Sequence, residues 1–217
     1  MADFAQRRRM MVDTQIRPSD VTSYPIIEAM LTVPREMFVP INAREVAYAG
    51  EHIYLEDNRV ILDSRTLAKM LEGINFVGDE LVLDVGGYLG YSSAIAARLS
   101  QVVVLLEEIE ECVAEAPILL SEVAADNVVV HEGILSQGAD SLGPYDVIII
   151  QGGVGEMPEG LISQLKDGGQ IAALFMEGAL GSVRVGHKVA DEISWRFSFN
   201  ACAPILSGFE QKRVFSL

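Results

Sequence analysis

From residue 81 onward the chain repeats one pattern, a short apolar run followed by a segment with helical spacing. Leu81–Val85 precedes a helix carrying Ala94, Ile95, Ala97 and Leu99, and Gln101–Leu106 precedes a helical segment over about 108–125 that contains Pro117. Two further runs, Asn127–His131 and the isoleucine-rich Tyr145–Ile150, lead to a helix predicted from Pro158 through Leu165 and closed by Gly168-Gly169, after which Gln170–Phe175 is the fifth run. Runs without polar alternation belong to strands buried on both faces, and a strand–helix–strand connection joins neighbours in parallel. The expectation is an α/β architecture, a mostly parallel sheet with helices on both faces. Pro117 should kink or divide its helix, because it removes an amide and crowds the preceding turn.

The two ends read differently. A helix entered at Asp20 or Thr22 carries Ile26, Ile27, Met30 and Leu31 on one face and should stop before Val33-Pro34. A short helix is expected over Arg35–Phe38, and another, capped by Asp63 or Ser64, places Leu67, Met70 and Leu71 together. Residues 1–80 therefore form a helical N-terminal cover over a domain spanning 81–217, one compact unit in all. Near the C-terminus Trp195, Phe197, Phe199 and Ala201 alternate with polar residues, the period of a half-buried strand. Its expected antiparallel partner is Lys212–Leu217, and Trp195 is expected in the core.

At 217 residues the chain is one domain, or one with a substantial extension. Sixteen basic against 31 acidic residues leave a net charge of −15, which repels phosphate backbones and excludes nucleic acid as a partner of the whole surface. The triplet Arg7-Arg8-Arg9 reads as a solvated helix end. Cys112 and Cys202, with His52, His131 and His187, match no disulfide or metal-ligand spacing, so no metal is expected. Apolar runs fall short of the roughly 18 residues that span a bilayer, so no membrane partner is expected. The N-terminus carries no apolar signal core, so the expected compartment is the cytoplasm.

The chemistry concentrates at Asp84-Val85-Gly86-Gly87-Tyr88-Leu89-Gly90-Tyr91, the junction of the first strand with its helix. Glycines here permit a tight turn and close approach of a ligand, and the amides opening the helix offer donors. Seventeen residues beyond Gly90, Glu107 ends the second strand, where an acid can accept both hydroxyls of a ribose; Glu108 is its rival. A dinucleotide fingerprint would need glycine at position 85, which is valine. A methyltransferase loop would use Asp84, Gly86, position 88 and Gly90, and position 88 is tyrosine. Asp84, an acid two residues before the first glycine, favours an S-adenosylmethionine site over a nicotinamide one. The bland alternative is an ordinary strand-to-helix turn. Tyr48 and Tyr91 line the cleft or simply pack, and Glu108, Glu110 and Glu111 form the acidic first turn of a helix.

More of the chain carries a family likeness. Ala29-Met30, Val33-Pro34-Arg35-Glu36, Phe38-Val39-Pro40, Ala47-Tyr48, Ala68-Lys69-Met70, Val82-Leu83-Asp84-Val85-Gly86, Gly90-Tyr91, Pro144-Tyr145-Asp146-Val147-Ile148 and Gln164-Leu165-Lys166 stand in an order that resembles the protein-L-isoaspartate O-methyltransferase family. The resemblance implies a Rossmann-like class I methyltransferase fold with antiparallel C-terminal edge strands. It implies S-adenosylmethionine as cofactor, and isoaspartyl-containing proteins or peptides as substrates whose misplaced carboxylate is methylated.

Three departures cluster on the implied site. Leu62 stands where the family has its active-site serine, with Ser64 only a weak substitute two positions on, so no catalytic residue is assigned. Gly133-Ile134-Leu135 replaces Gly-Asp-Gly, leaving Gly133 and Ile134 at the adenine side without the acid. Tyr88 replaces the middle glycine and is expected to fill part of the cleft. The expected cofactor set is Asp84, Gly86, Gly87, Tyr88, Gly90, Glu107, Gly133 and Ile134. A degenerate member acting as a non-catalytic binding or assembly module is the alternative.

Overall fold

In the computed structural model, residues 3–190 and 192–211 are described. The chain enters through α1 (Phe4–Met11), capped by Asp3, and continues as a wide helical turn over Val12–Ile16. Helix α2 (Tyr24–Thr32) starts with Pro25 in its first turn and stops at Val33, where Pro34 forces an extended backbone. Arg35–Met37 forms the expected short helical turn. Between these helices and the sheet lies a miniature hairpin, β1 (Ile53–Tyr54) with β2 (Val60–Ile61). Asp57 and Asn58 take φ of 53° and 58° at its tip, and the Arg59 amide donates to the Glu56 carbonyl, the geometry of a type I′ turn. Helix α3 (Ser64–Glu72) follows, with the Asp63 side chain accepting from the Thr66 amide.

The sheet is built from β3 (Leu81–Val85), α4 (Tyr91–Ala96), β4 (Val102–Glu107), α5 (Glu110–Glu122), β5 (Val128–Glu132), β6 (Tyr145–Val154), α6 (Glu159–Ser163), β7 (Leu165–Glu177), β8 (Leu180–Val189) and β9 (Glu192–Asn200). Its order is β5-β4-β3-β6-β7-β8-β9; the first five run parallel, and β8 and β9 add an antiparallel end. Successive residues of β3 face opposite layers. Val82 joins Met30, Leu67 and Met70 under the helical cover, while Leu83 joins Leu106, Ile148 and Leu161 on the other side. That is why the run carries no polar alternation. Chain order reverses at β3, between β4 and β6, so the crevice at the carboxyl ends there is where such sheets take ligands.

Several expectations need correction. Helix α5 runs through Pro117 without division, that residue lying on the exposed face, where a carbonyl left without its amide is least costly. The partner of β9 is β8, an element not foreseen because Gly181 and Gly186 interrupt its alternation; Lys212–Leu217 lies outside the described residues. A register shift at Val183/Arg184 turns Phe199 into the core under the helical cover, whereas Phe197 is 58% exposed. Trp195 is half-buried, edge-on to Phe175 at 4.8 Å. The arginine triplet is not simply solvated, since Arg7 pairs with Glu45 and the partly buried Arg8 with Glu36.

Candidate functional site

The parallel pairing of β3 with β4 sets Asp84 opposite Leu105 and Val85 opposite Leu106, so Asp84 and Glu107 terminate neighbouring strands at the switch point. The loop between β3 and α4 passes through left-handed backbone at Gly86, Tyr88 and Gly90, with φ of 77°, 57° and 97°. A β-carbon at Gly87 would stand 2.7 Å from the Asp84 carboxylate, so only glycine fits there. Tyr88 holds a conformation that costs an L-residue about 1 kcal/mol, and the loop keeps its shape despite that substitution.

Asp84 is fully buried and accepts hydrogen bonds from Ser92 Oγ and Ser93 Oγ, each at 2.6 Å, and from Gln151 Nε2 at 2.7 Å. Burial raises its pKa above the ordinary carboxylate value, against the pull of those three donors. The serines open α4 and the glutamine follows the isoleucines of β6; sequence reasoning missed all three.

Glu107 is equally buried, and its carboxylate is saturated. Amides of Tyr88, Glu108 and Ile109 donate to it at 2.9, 2.9 and 3.2 Å. Its other partner is Arg59, delivered by the end of the hairpin turn, whose Nη1 and Nη2 donate to Oε1 and Oε2 at 2.7 and 2.5 Å. Nη2 also donates to the Gly86 carbonyl at 3.0 Å, and the side chain is 2% exposed. Nothing in the sequence reading pointed to Arg59. The available signal was a lone basic residue ahead of the apolar Val60-Ile61-Leu62.

The remaining expected residues surround this ion pair. Leu62, at the position implied for serine, is buried in the wall of a cavity shared with Gly86, Gly87, Tyr91 and Gln151. That cavity holds about 10 Å³, room for roughly one water. Leu135 reaches toward Gly86 from the turn after β5; the Gly133 amide donates to the Glu107 carbonyl, and Ile134 is exposed. Ser64 opens α3, buried beside the Tyr91 phenol.

Tyr88 does not line this cavity. Instead it lines an outer groove of about 880 Å³ with Ile53, Leu55, Ile109 and Cys112, and burial raises its phenol pKa. Tyr88 thus faces the outer groove, and the group set against Glu107 and the Gly86 carbonyl is Arg59. In the same groove burial pushes the Cys112 thiol up to about 12, leaving it inert. Tyr48 is a packing residue, its hydroxyl receiving Arg8 Nε at 2.9 Å and the Arg35 amide at 3.2 Å while donating to Glu36. Among the described residues no acidic, histidine or cysteine cluster could hold a metal ion, and no helix is long and apolar enough to cross a membrane.

A sequence profile of the family "Protein-L-isoaspartate(D-aspartate) O-methyltransferase (PCMT)" matches residues 6–191. Protein-L-isoaspartate O-methyltransferases of Pelotomaculum thermopropionicum and Methanoregula boonei are 31% and 34% identical, over 78% and 77% of this chain and 74% and 77% of their own lengths. Among solved structures, a protein-L-isoaspartate O-methyltransferase superposes with a TM-score of 0.80 at 22% identity, covering 94% of this chain and 67% of that one. A Plasmodium falciparum protein described as a protein-L-isoaspartate O-methyltransferase, in complex with S-adenosyl-L-homocysteine, superposes at 0.76 and 18% identity, covering 95% and 99%. These structural likenesses carry the fold.

Proposed function

Because the chain belongs to the protein-L-isoaspartate O-methyltransferase family, we propose that it is an S-adenosylmethionine-dependent O-methyltransferase acting on the misplaced carboxylate of isoaspartyl residues in damaged proteins. The observation that carries this reading is the pair Asp84 and Glu107, held at the ends of adjacent parallel strands beneath a loop turned through left-handed positions. In this reading 81–217 is the methyltransferase domain, 1–80 its cover, and the setting is the cytoplasm. Neither nucleic acid nor membrane is a partner.

In the conformation described, these residues do not fit the cofactor. Both oxygens of Glu107 are committed, Asp84 is sealed, and the inner cavity of about 10 Å³ admits no more than roughly one water, while the larger groove lies outside it along Tyr88. An open form must precede any chemistry. What the chain then has to supply is alignment: a carboxylate acceptor is ionised at neutral pH and needs no base, so geometry carries the rate. Leu62 can shape that geometry but offers no hydrogen bond.

The test is transfer of a labelled methyl group from S-adenosylmethionine to an isoaspartyl peptide and to its aspartyl twin. Slow, base-labile labelling of the isoaspartyl peptide alone is expected, rising in Leu62→Ser. Absence of label from both peptides, in wild type and in a folded Leu62→Ser, refutes the reading. That outcome would select the alternative, a non-catalytic binding module.

A further inference from the structure

We propose that Arg59 is an internal occupant of the nucleoside site, competing with the cofactor for Glu107, and that the β1–β2 hairpin must withdraw before the cofactor enters. The inference rests on the proposed function for the identity of that cofactor, and on the following geometry for the rest.

Arg59 presents two N–H groups to the two oxygens of one carboxylate, at 2.7 and 2.5 Å. A ribose recognised by the same acid would direct two vicinal hydroxyls at those oxygens. The two sets of donors need the same space, so they exclude one another. The guanidinium further occupies the approach to the loop through its bond to the Gly86 carbonyl.

The element carrying Arg59 is small and stands apart from the main sheet. Its strands pair at two positions, Ile53 with Ile61 and Tyr54 with Val60, continued by the Leu55 amide donating to the Arg59 carbonyl, and among the described residues no other strand extends them. Hairpins of that size are marginal by themselves. Asp57 and Asn58 hold positive φ at the turn, where glycine would be freer, and Tyr54 is 68% exposed. The strands on which Glu107 and Asp84 sit are interior to a seven-stranded sheet. Opening uncovers Ile53, Val60 and Ile61, which pack in the core under the helical cover, while the pairing of β3 with β4 stays in place.

Both partners are provided for when they separate. Glu107 keeps the amides of Tyr88, Glu108 and Ile109, so it is left neither bare nor misdirected. Arg59 Nη1 already stands 3.9 Å from Glu108 Oε1, on a side chain that is 31% exposed, so an acid at the rim can receive it. Apparent affinity for the cofactor is then the intrinsic affinity scaled by the fraction of molecules in which this exchange has occurred.

The experiment is calorimetric titration with S-adenosyl-L-homocysteine of wild type, Arg59→Ala and Asn58→Gly. Arg59→Ala should bind at least about tenfold more tightly than wild type, and Asn58→Gly, which relaxes the turn in its closed form, roughly threefold more weakly. On saturation of wild type, amides from 55 to 61 should gain hydrogen exchange while those of β3 and β4 do not. Equal affinity of wild type and Arg59→Ala overturns the competition and leaves the cofactor standing. Silence of both at millimolar ligand, with Arg59→Ala melting cooperatively, overturns the competition and the cofactor together. Should Arg59→Ala not fold, Arg59→Lys, which keeps the charge without the fork, should bind severalfold more tightly, and affinity equal to wild type overturns the proposal.

Discussion

Asp84 and Glu107 are one strand apart and satisfied in opposite ways. Asp84 meets neutral hydroxyls and an amide from α4 and β6, so its removal strands three polar groups in a sealed space. Asp84→Ala should destabilise the fold by about 2–4 kcal/mol in urea unfolding, the cost of several buried donors losing their acceptor. Asp84→Asn, which retains one carbonyl acceptor, should lose roughly half as much. A loss under about 1 kcal/mol for Asp84→Ala would mean that water replaces the carboxylate. Both acids were legible in the sequence because each follows an apolar run. Their partners were not. Arg59 meets Glu107 across 48 residues, and Gln151 meets Asp84 across 67, distances that only the assembled topology closes.

Helix α3 shows how an element can be anticipated while its anchoring is not. Asp63 as its cap follows from residue type and position, as does the end of α2 before Pro34. The clip across it is invisible in sequence: the Asp63 amide donates to His52 Nδ1 at 2.8 Å, Asp63 Oδ2 lies 3.1 Å from the same nitrogen, and Nε2 lies 2.8 Å from the Cys202 carbonyl, tying the segment after β9 to this corner. Burial disfavours both charges, yet the proximity of the two side chains, with Thr66 donating to Asp63, outweighs it. Asp63 is held down to about 2, and His52 is raised above its ordinary 6.5. The acid's contribution is present above its unfolded value near 3.8 and disappears as pH falls toward 2. That of the histidine is complete below 6.5 and fades as pH rises through its elevated value. The difference in urea midpoint between wild type and Asp63→Asn should therefore be greatest between about pH 4 and 6.5 and shrink on both sides. A difference independent of pH would reduce Asp63 to a helix cap. The strand β8 escaped notice for a related reason, since its glycines and the bulge opposite β9 break the period that strand recognition depends on.

Charge is a property of the whole molecule, and at −15 it acts on stability and on substrate alike. The parallel core and its apolar layers were legible because burial on both faces leaves an uninterrupted trace; the surface field is read from composition directly. Self-repulsion of so many acids opposes compaction, and salt screens it over about 10 Å at 0.1 M, while the enclosed Arg59–Glu107 pair is hardly touched. Raising sodium chloride from about 0.01 to 0.5 M should therefore increase the melting temperature by a few degrees; a decrease would mean that surface pairs such as Arg7–Glu45 outweigh the repulsion. The same field should sort substrates before they reach the cleft. An isoaspartyl peptide flanked by lysines is drawn toward this surface, and one flanked by glutamates is repelled, although both offer the same carboxylate. At low salt the lysine peptide should show a KM lower by roughly tenfold with similar kcat, because the field alters encounter and not alignment. At 0.5 M salt the two KM values should converge. A preference that survives high salt would instead place a specific acidic contact beside the acceptor site, within the reach of Glu108 or the hairpin acids Glu56 and Asp57.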